Sequence, residues 1–329
     1  MATVGYASTE LPSPAEVEQI AAIRGACAEE IRALSCKEND VVGDLRVCRF
    51  LRARHGDVGE ATQWFKDFLK WRVESGMDTA RNEVVGRSPE DFLQWFEKRK
   101  NPHFEMCPYA GRNQEGHVLW FMHPGYADSA KFINHRQISL DEDLRVTALV
   151  LEWTMWLLEK LSREEQRMVY CIKIADLNGL GADGRRVGVF VPGYMPHLKN
   201  MLKAMQKNYC EHDTLFVMLN TSWVFRTAWT VVSALLTKRQ SAKVKILGDS
   251  TSNEVRLTLS RIVPADLMPA EYGGPVKRLI GFLPVLTPAE QDEWYRTRHL
   301  VPIEIVGAAN PATVEAFFFF FDETIEVSI

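Results

Sequence analysis

Residues 169–175 read Val169-Tyr170-Cys171-Ile172-Lys173-Ile174-Ala175, an apolar, β-branched run with one charge inside it. A run this short and this rich in β-branched residues predicts a buried strand rather than a helix. Before it, residues 140–161 are rich in Leu and Trp and predict a long helix. After it come a helical stretch over 195–209, a strand over 214–219, an apolar helix over 225–236, a short strand over 243–247 and a helix over 251–262. Residues 118–122 add a strand behind the turn Gly111-Arg112-Asn113-Gln114-Glu115-Gly116. Strands alternating with helices predict a sheet with parallel pairs and helices packed against it.

Alternation within 169–175 puts Tyr170, Ile172 and Ile174 on one face and Cys171, Lys173 and Ala175 on the other. A lone buried lysine is costly unless it is paired. The Lys173 face is therefore paired, solvent-lined or ligand-lined.

The first hundred residues have a different character. Residues 1–12 read as a loose arm. From Pro14 a helical pattern runs through Val17, Ile20, Ile23, Cys27, Ile31 and Leu34 at spacings of three and four. Asp44 is the expected N-cap of a second helix reaching about Arg54. His55-Gly56-Asp57 then stops that helix and caps the next, whose Ala61, Trp64, Phe65, Phe68 and Leu69 share a face up to Gly76. A further amphipathic stretch covers 90–99. At the other end, Pro284 and Pro288 mark a joint, followed by an expected helix over 288–299 and strands over 303–306 and 314–329.

Composition narrows the function. The chain has 329 residues, 46% hydrophobic and 25% charged, which excludes a disordered or disulfide-built protein. A net charge of −4 excludes a nucleic-acid footprint over the whole surface. The six cysteines, at 27, 36, 48, 107, 171 and 210, show no C-x-x-C pair, so neither a zinc ribbon nor a redox pair is signalled, and a reducing, intracellular compartment is expected. The acidic first thirty residues show no signal peptide. No run reaches the roughly 18–20 apolar residues of a spanning helix, so the chain is expected to be soluble or to touch a membrane only from the side.

Gly179-Leu180-Gly181-Ala182-Asp183-Gly184 matches G-x-G-x-x-G behind a strand. Against a dinucleotide site, Asp176-Leu177-Asn178 separates strand from glycine, the next strand ends at Asn220 rather than an acid, and Arg185-Arg186 stands where the packed helix should begin. G-x-S-x-G, H-E-x-x-H, P-loop and EF-hand motifs are missing, and the eight histidines share no ligand spacing, although His117 and His123 flank one strand and could meet. No metal and no cofactor are expected. Arg46, Arg49, Arg52 and Arg54 recur on one helix; they read first as a solvated, salt-bridged face and second as an anion site. The 225–236 helix reads as fully buried, or as a movable apolar lid or membrane-touching helix.

Together these residues resemble a known family. Val47-Cys48-Arg49-Phe50-Leu51-Arg52-Ala53-Arg54, then Asp57-Val58, then Trp71-Arg72, resembles the R-F-L-R-A-R…D-V…W-R signature of CRAL-TRIO proteins. Residues 111–118 look like the family's G-R-D-x-x-G-R-P-V turn and strand. Ile174-Ala175-Asp176-Leu177-Asn178-Gly179 looks like its strand-D-L-x-G segment, and Met268-Pro269-Ala270-Glu271-Tyr272-Gly273-Gly274 like its closing L-P-x-E-Y-G-G. The resemblance runs in order over about 44–274. It implies an α/β protein with a helical N-terminal lobe (1–103), a CRAL-TRIO lobe (104–281) whose mixed, largely parallel sheet floors an apolar pocket, and an extension (282–329) resembling the start of a GOLD-type β-sandwich.

The family's phosphatidylinositol-transfer branch implies site residues. Arg54, with the basic His55 next to it, and Lys243 would hold the inositol phosphate, and Glu211 would accept inositol hydroxyls. The branch grips choline phosphate with two hydroxyl residues on the sheet; Cys171 and Lys173 stand there instead, which puts phosphatidylcholine in doubt. Phe225, Trp229, Val232 and Leu236 lie on the gate helix. The resemblance thus implies a cytoplasmic, non-enzymatic protein with transient contact at a membrane surface. It would bind and transfer one phospholipid or other hydrophobic molecule and take no nucleic acid. The alternatives are an adaptor docking proteins at membranes, and a nicotinamide enzyme built on Gly179–Gly184.

Overall fold

The computed structural model describes residues 7–100, 106–124, 139–178, 194–221 and 238–277, together with Phe225, Trp229 and Ser233. The expected helix at 288–299 and strands at 303–306 and 314–329 lie outside the described residues, as do Gly179–Gly184.

The N-terminal lobe is helical because its caps and apolar spacing agree. Helix α1 (Pro14–Ala26) opens on a capping box: Ser13 Oγ accepts from Glu16 N–H, and Glu16 returns a carboxylate oxygen to Ser13 N–H at 2.9 Å. The pattern then breaks at the buried Cys27, which ends α1 and starts the short α2 (Ala28–Ala33). Asp44 is not the cap expected of it. A further turn, α3 (Asn39–Val42), runs directly into α4 (Asp44–Ala53), and Gly43 is the joint. A Cβ on Gly43 would stand 2.5 Å from Asn39 O, so only glycine fits, while Asp44 sits in the first turn where its charge suits the helix dipole. Helix α5 (Val58–Glu74) is capped by Asp57, whose Oδ1 accepts from Glu60 N–H at 2.9 Å. Short α6 (Met77–Ala80) and α7 (Pro89–Arg99) complete the lobe. Phe50, Phe65, Phe68 and Leu69 form its core with Ile20 and Ile23.

Among the described residues the strands form one five-stranded sheet in the order β1 (Met106–Cys107), β2 (Val118–Met122), β3 (Cys171–Asp176), β4 (Asp213–Leu219), β5 (Val244–Ile246). β1 pairs antiparallel to β2, and every later pair is parallel. Helices α8 (Leu140–Glu164), α9 (Tyr194–Asn208) and α10 (Lys238–Ala242) are the connections, and α11 (Asn253–Ile262) follows β5. One face carries Leu119, Phe121, Ile172, Ile174, Leu215 and Val217, buried with Val255, Leu259 and Ile262 of α11. The other carries Val118, Trp120 and Cys171, which pack with Val146, Val150 and Trp153 of α8 and with Phe92 and Phe96 of α7. Phe92 stacks on Trp153 at 3.8 Å between centroids.

Two sequence expectations change here. Tyr170 does not share the face of Ile172 and Ile174. The strand begins at Cys171 and its register on β4 shifts between Cys171 and Ile172, so Tyr170 packs with Ala7, Leu45 and Met168. The arm is also docked from Ala7 on: Ala7 N–H donates to Thr214 Oγ1, Met168 N–H to Thr9 O, and Tyr170 OH to Ser8 O.

The lobes meet through charge buried in the core. Glu152, on α8, receives Arg72 Nη1 at 2.6 Å, Arg81 Nε at 3.1 Å and Tyr209 OH at 2.8 Å. Arg72 also pairs with Asp78 at 3.3 Å and Arg81 with Asp40. Both arginines and the Glu152 side chain are almost wholly buried. Burial works against the Glu152 charge, but the two arginines hold its carboxyl below the usual range. Glu152→Gln leaves two buried guanidinium groups short of a counter-charge. It is expected to destabilise the protein by about 3–5 kcal/mol, measured by urea unfolding against the unaltered chain.

Candidate functional site

The N-terminal ends of β3, β4 and β5 gather a chain of charged side chains. The bend between α9 and β4 places Glu211 in the left-handed region, at φ 52. Its carboxylate accepts two hydrogen bonds from Arg239, at 2.9 and 3.0 Å, and faces Lys243 Nζ at 3.2 Å. Lys243 also donates to Asp213 O at 2.9 Å and lies 3.4 Å from Asp213 Oδ1. The other Asp213 oxygen lies 3.4 Å from Lys173 Nζ, which reaches His212 Nε2 at 2.6 Å. Glu211, His212, Lys173 and Lys243 are each under 10% exposed.

This geometry assigns protons. His212 Nδ1 lies 2.6 Å from Tyr209 O, which can only accept, so Nδ1 carries the hydrogen and Nε2 accepts from Lys173. Burial, followed by the Lys173 charge, pushes His212 down to about 3, so the ring is neutral. Burial opposes the Asp213 charge, yet the Lys173 and Lys243 charges hold its carboxyl well below the ordinary range. Burial opposes the Glu211 charge too, and Arg239 and Lys243 outweigh it.

Of the residues singled out from sequence, Glu211 and Lys243 are brought together, and Lys173 joins them through Asp213. Lys173 is thus the paired form of a buried lysine. Its neighbour Cys171 is fully buried, its thiol pushed up to about 12 by that burial, so it behaves as a small apolar group. Arg54 stands apart. Its guanidinium lies over the Trp64 ring, 3.6 Å from the centroid, and it forms no ion pair among the described residues. His55 is exposed in the turn after α4. Phe225 and Trp229 stack one helical turn apart, 6.1 Å between centroids; Val232 and Leu236 lie outside the described residues.

The solvated-face reading of the α4 arginines fails for Arg46 and Arg49, each 1% exposed. Arg46 donates to Asn208 O at 2.7 Å and lies among the rings of Phe50, Phe68 and Tyr209. Arg49 donates to Glu211 O at 2.5 Å and Val169 O at 2.8 Å. Both clamp α4 onto the strand entrances, and only Arg52 is a surface-side pair, with Glu16 at 2.7 Å. His117 and His123 do not meet: His117 accepts from Tyr170 N–H, while His123 contacts Tyr272 OH and Glu271. Sequence reasoning missed Arg239, His212 and Asp213. The signal for Arg239 was its spacing of four from Lys243 across a short helix; the other two follow Glu211 directly. Among the described residues no cluster suits a metal and no helix is long and apolar enough to cross a membrane.

The fold and this buried ionic row define a class: a mixed α/β protein with a charged edge beside an apolar sheet face. The chain belongs to the CRAL/TRIO domain family, which matches it over residues 105–274. It is 25% identical over 236 residues to the phosphatidylinositol/phosphatidylcholine transfer protein SFH9 of Arabidopsis thaliana, an alignment covering 70% of this chain and 36% of that protein. To the SEC14 cytosolic factor of Eremothecium gossypii it is 28% identical over 242 residues, covering 70% of this chain and 69% of that one. The chain thus spans just over a third of the length of curated relatives such as SFH9. The crystal structure of Sfh5 has the same fold, with a TM-score of 0.53, 14% identity, and coverage of 88% of this chain and 99% of that one.

Buried neutral histidines give stability a pH dependence. Burial lowers His212 to about 3 and His117 to about 4, so between those values and the ordinary 6.5 the folded state binds fewer protons than the unfolded. Stability is then expected to fall as pH drops from 7 through 6.5 toward 4. Thermal unfolding at pH 7, 6 and 5 checks this, and His117→Asn is expected to flatten part of the slope.

Proposed function

We propose that the protein binds one hydrophobic ligand, a phosphatidylinositol-type phospholipid, and transfers or presents it between membranes without covalent chemistry. The observation that carries this reading is the Glu211 carboxylate held between Arg239 and Lys243 at the edge of the apolar sheet face. A buried ion pair gives little stability for its cost, and paired opposite charges offer both donors for phosphate and an acceptor for sugar hydroxyls. Arg54, with His55 next to it, is the third expected group. The half-buried Phe216, level with Lys173, and Met122, one row further along the strands, suit acyl chains, whose burial stabilises by about 0.8 kcal/mol per CH₂. The names of SFH9 and the SEC14 cytosolic factor support phospholipid transfer and a cytosolic setting; transient contact with a membrane surface belongs to the proposal.

The division into a helical lobe over 1–103, a ligand lobe over 104–281 and an extension over 282–329 belongs to the same reading. So does the gate role of the helix carrying Phe225, Trp229, Val232 and Leu236. In this reading, movement of that gate at a membrane releases the ligand.

The test is transfer of labelled phosphatidylinositol between vesicles. Arg239→Ala combined with Lys243→Ala is expected to lower the rate by tenfold or more, with thermal unfolding confirming a folded protein. A protein that transfers no common phospholipid, yet keeps partner binding in pull-downs of the double variant, sinks the transfer reading in favour of an adaptor.

A further inference from the structure

We propose that the turn between β1 and β2 and the segment just beyond α8 form a separate binding site, which takes the carboxylate of a small acid or of a peptide chain end. No residue of this site belongs to the Glu211–Lys243 row, and the inference does not rest on the reading above.

Arg112, Asn113, Glu115 and Gly116 of the turn line an open pocket of about 460 Å³ with Glu165 and Arg167. Glu165 holds both arginines: Oε1 accepts from Arg112 Nη2, and Oε2 accepts from Arg167 Nη2 at 2.5 Å. Arg112 also donates twice to Gly116 O, at 2.6 and 2.8 Å, and Arg167 Nη2 donates to Glu115 O. Gly116 stands at φ 79, and a Cβ there would lie 2.5 Å from Arg112 Nη2 and 2.5 Å from Arg167 Nη2. The turn thus brings two guanidinium tips together over a residue with no side chain.

These bonds leave donors over. Among the described residues, Arg112 Nη1 and Arg167 Nε and Nη1 meet no acceptor. Asn113 adds another donor. It is 6% exposed, and its Oδ1 accepts from His117 N–H at 2.7 Å, which fixes Nδ2 as the donor end. That Nδ2 has no hydrogen-bond partner among the described residues, whereas buried donors in folded proteins are normally paired. The second carboxylate on the wall, Glu115, has Oε2 4.0 Å from His117 Nε2, which carries the ring hydrogen because Nδ1 accepts from Tyr170 N–H.

A carboxylate matches this set of donors. It is flat, presents two oxygens side by side to a guanidinium fork, and accepts several hydrogen bonds at once. Charge favours it over a phosphate dianion. Arg112 and Arg167 balance Glu165 and Glu115, so one added negative charge is met by the spare N–H groups, while a second faces two carboxylates on the same wall. An amide in the same place offers one oxygen and no charge.

The test titrates the full chain with hippurate, with an acetylated alanine tetrapeptide bearing a free C-terminus, with the same peptide amidated, and with inorganic phosphate. The readout is the NMR signal of the Asn113 side-chain amide, identified by its loss in Asn113→Asp. Hippurate and the free peptide are expected to shift that signal saturably, and the amidated peptide to leave it in place. Arg167→Gln is expected to weaken binding about tenfold, and Arg112→Gln takes its place should that variant fail to fold. Tighter binding of the peptide than of hippurate supports the site and assigns it a chain end; the reverse supports it and assigns a free acid. The proposal is overturned by the lack of a saturable shift below about 20 mM, by equal binding of the amidated peptide, by an unchanged affinity in Arg167→Gln, or by phosphate binding more tightly than either carboxylate.

Discussion

The carboxylate of Glu152 reaches from the long helix to two buried arginines that the N-terminal helices bring together. Arg72 and Arg81 come from the N-terminal helices, Glu152 from the long helix α8, and Tyr209 from the end of α9. Charges this buried tolerate no loose geometry, because each loses its hydration and must recover it from its partners. Asp78 shows how fully the demand is met: besides Arg72, its carboxylate accepts Ser35 N–H, Ser35 Oγ–H and Cys36 N–H. The lobes are therefore held in one relative position by an arrangement that hydrophobic contact, which is non-directional, could not define.

The site inherits that position. With α5 and α8 locked, α4 lies against the strand entrances, and Arg46 and Arg49 grip carbonyl groups of Asn208, Val169 and Glu211. Holding the Glu211 carbonyl helps to keep that residue in its left-handed conformation, which few residues other than glycine adopt. From there its carboxylate meets Arg239 and Lys243. The docked arm adds a strap across the same region, from Thr214 to Arg52. The signature over residues 47–54 is thus divided by role: Arg49 serves the clamp, Arg52 the arm and Glu16, and Arg54 remains beside Trp64.

Much of the fold was legible in the residues. The strand around Ile172 and Ile174, the helices from Pro14 and Asp57, and the alternation of strands with helices all follow from local spacing and capping. Local misreadings have local causes: Gly43 rather than Asp44 caps α4 because two helices join without a linker, and Tyr170 departs from alternation because the register shifts at Cys171. The site was legible in part. Glu211 and Lys243 entered through resemblance, while Arg239 looked like one basic residue among many, and His212 and Asp213 carried no pattern of their own.

The sequence by itself determined the periodicities and the turns, and hence an α/β chain, while its motifs carried the resemblance to CRAL-TRIO proteins. It did so because those properties depend on neighbours a few positions away. Only the tertiary structure decided that Arg46 and Arg49 are clamps rather than a solvated face, and that Lys173 is paired. Each of these depends on whether a charged or polar group far along the chain meets it in a buried place. Coulombic and hydrogen-bond energies are set by that distance and by the exclusion of water, and no local spacing encodes either one.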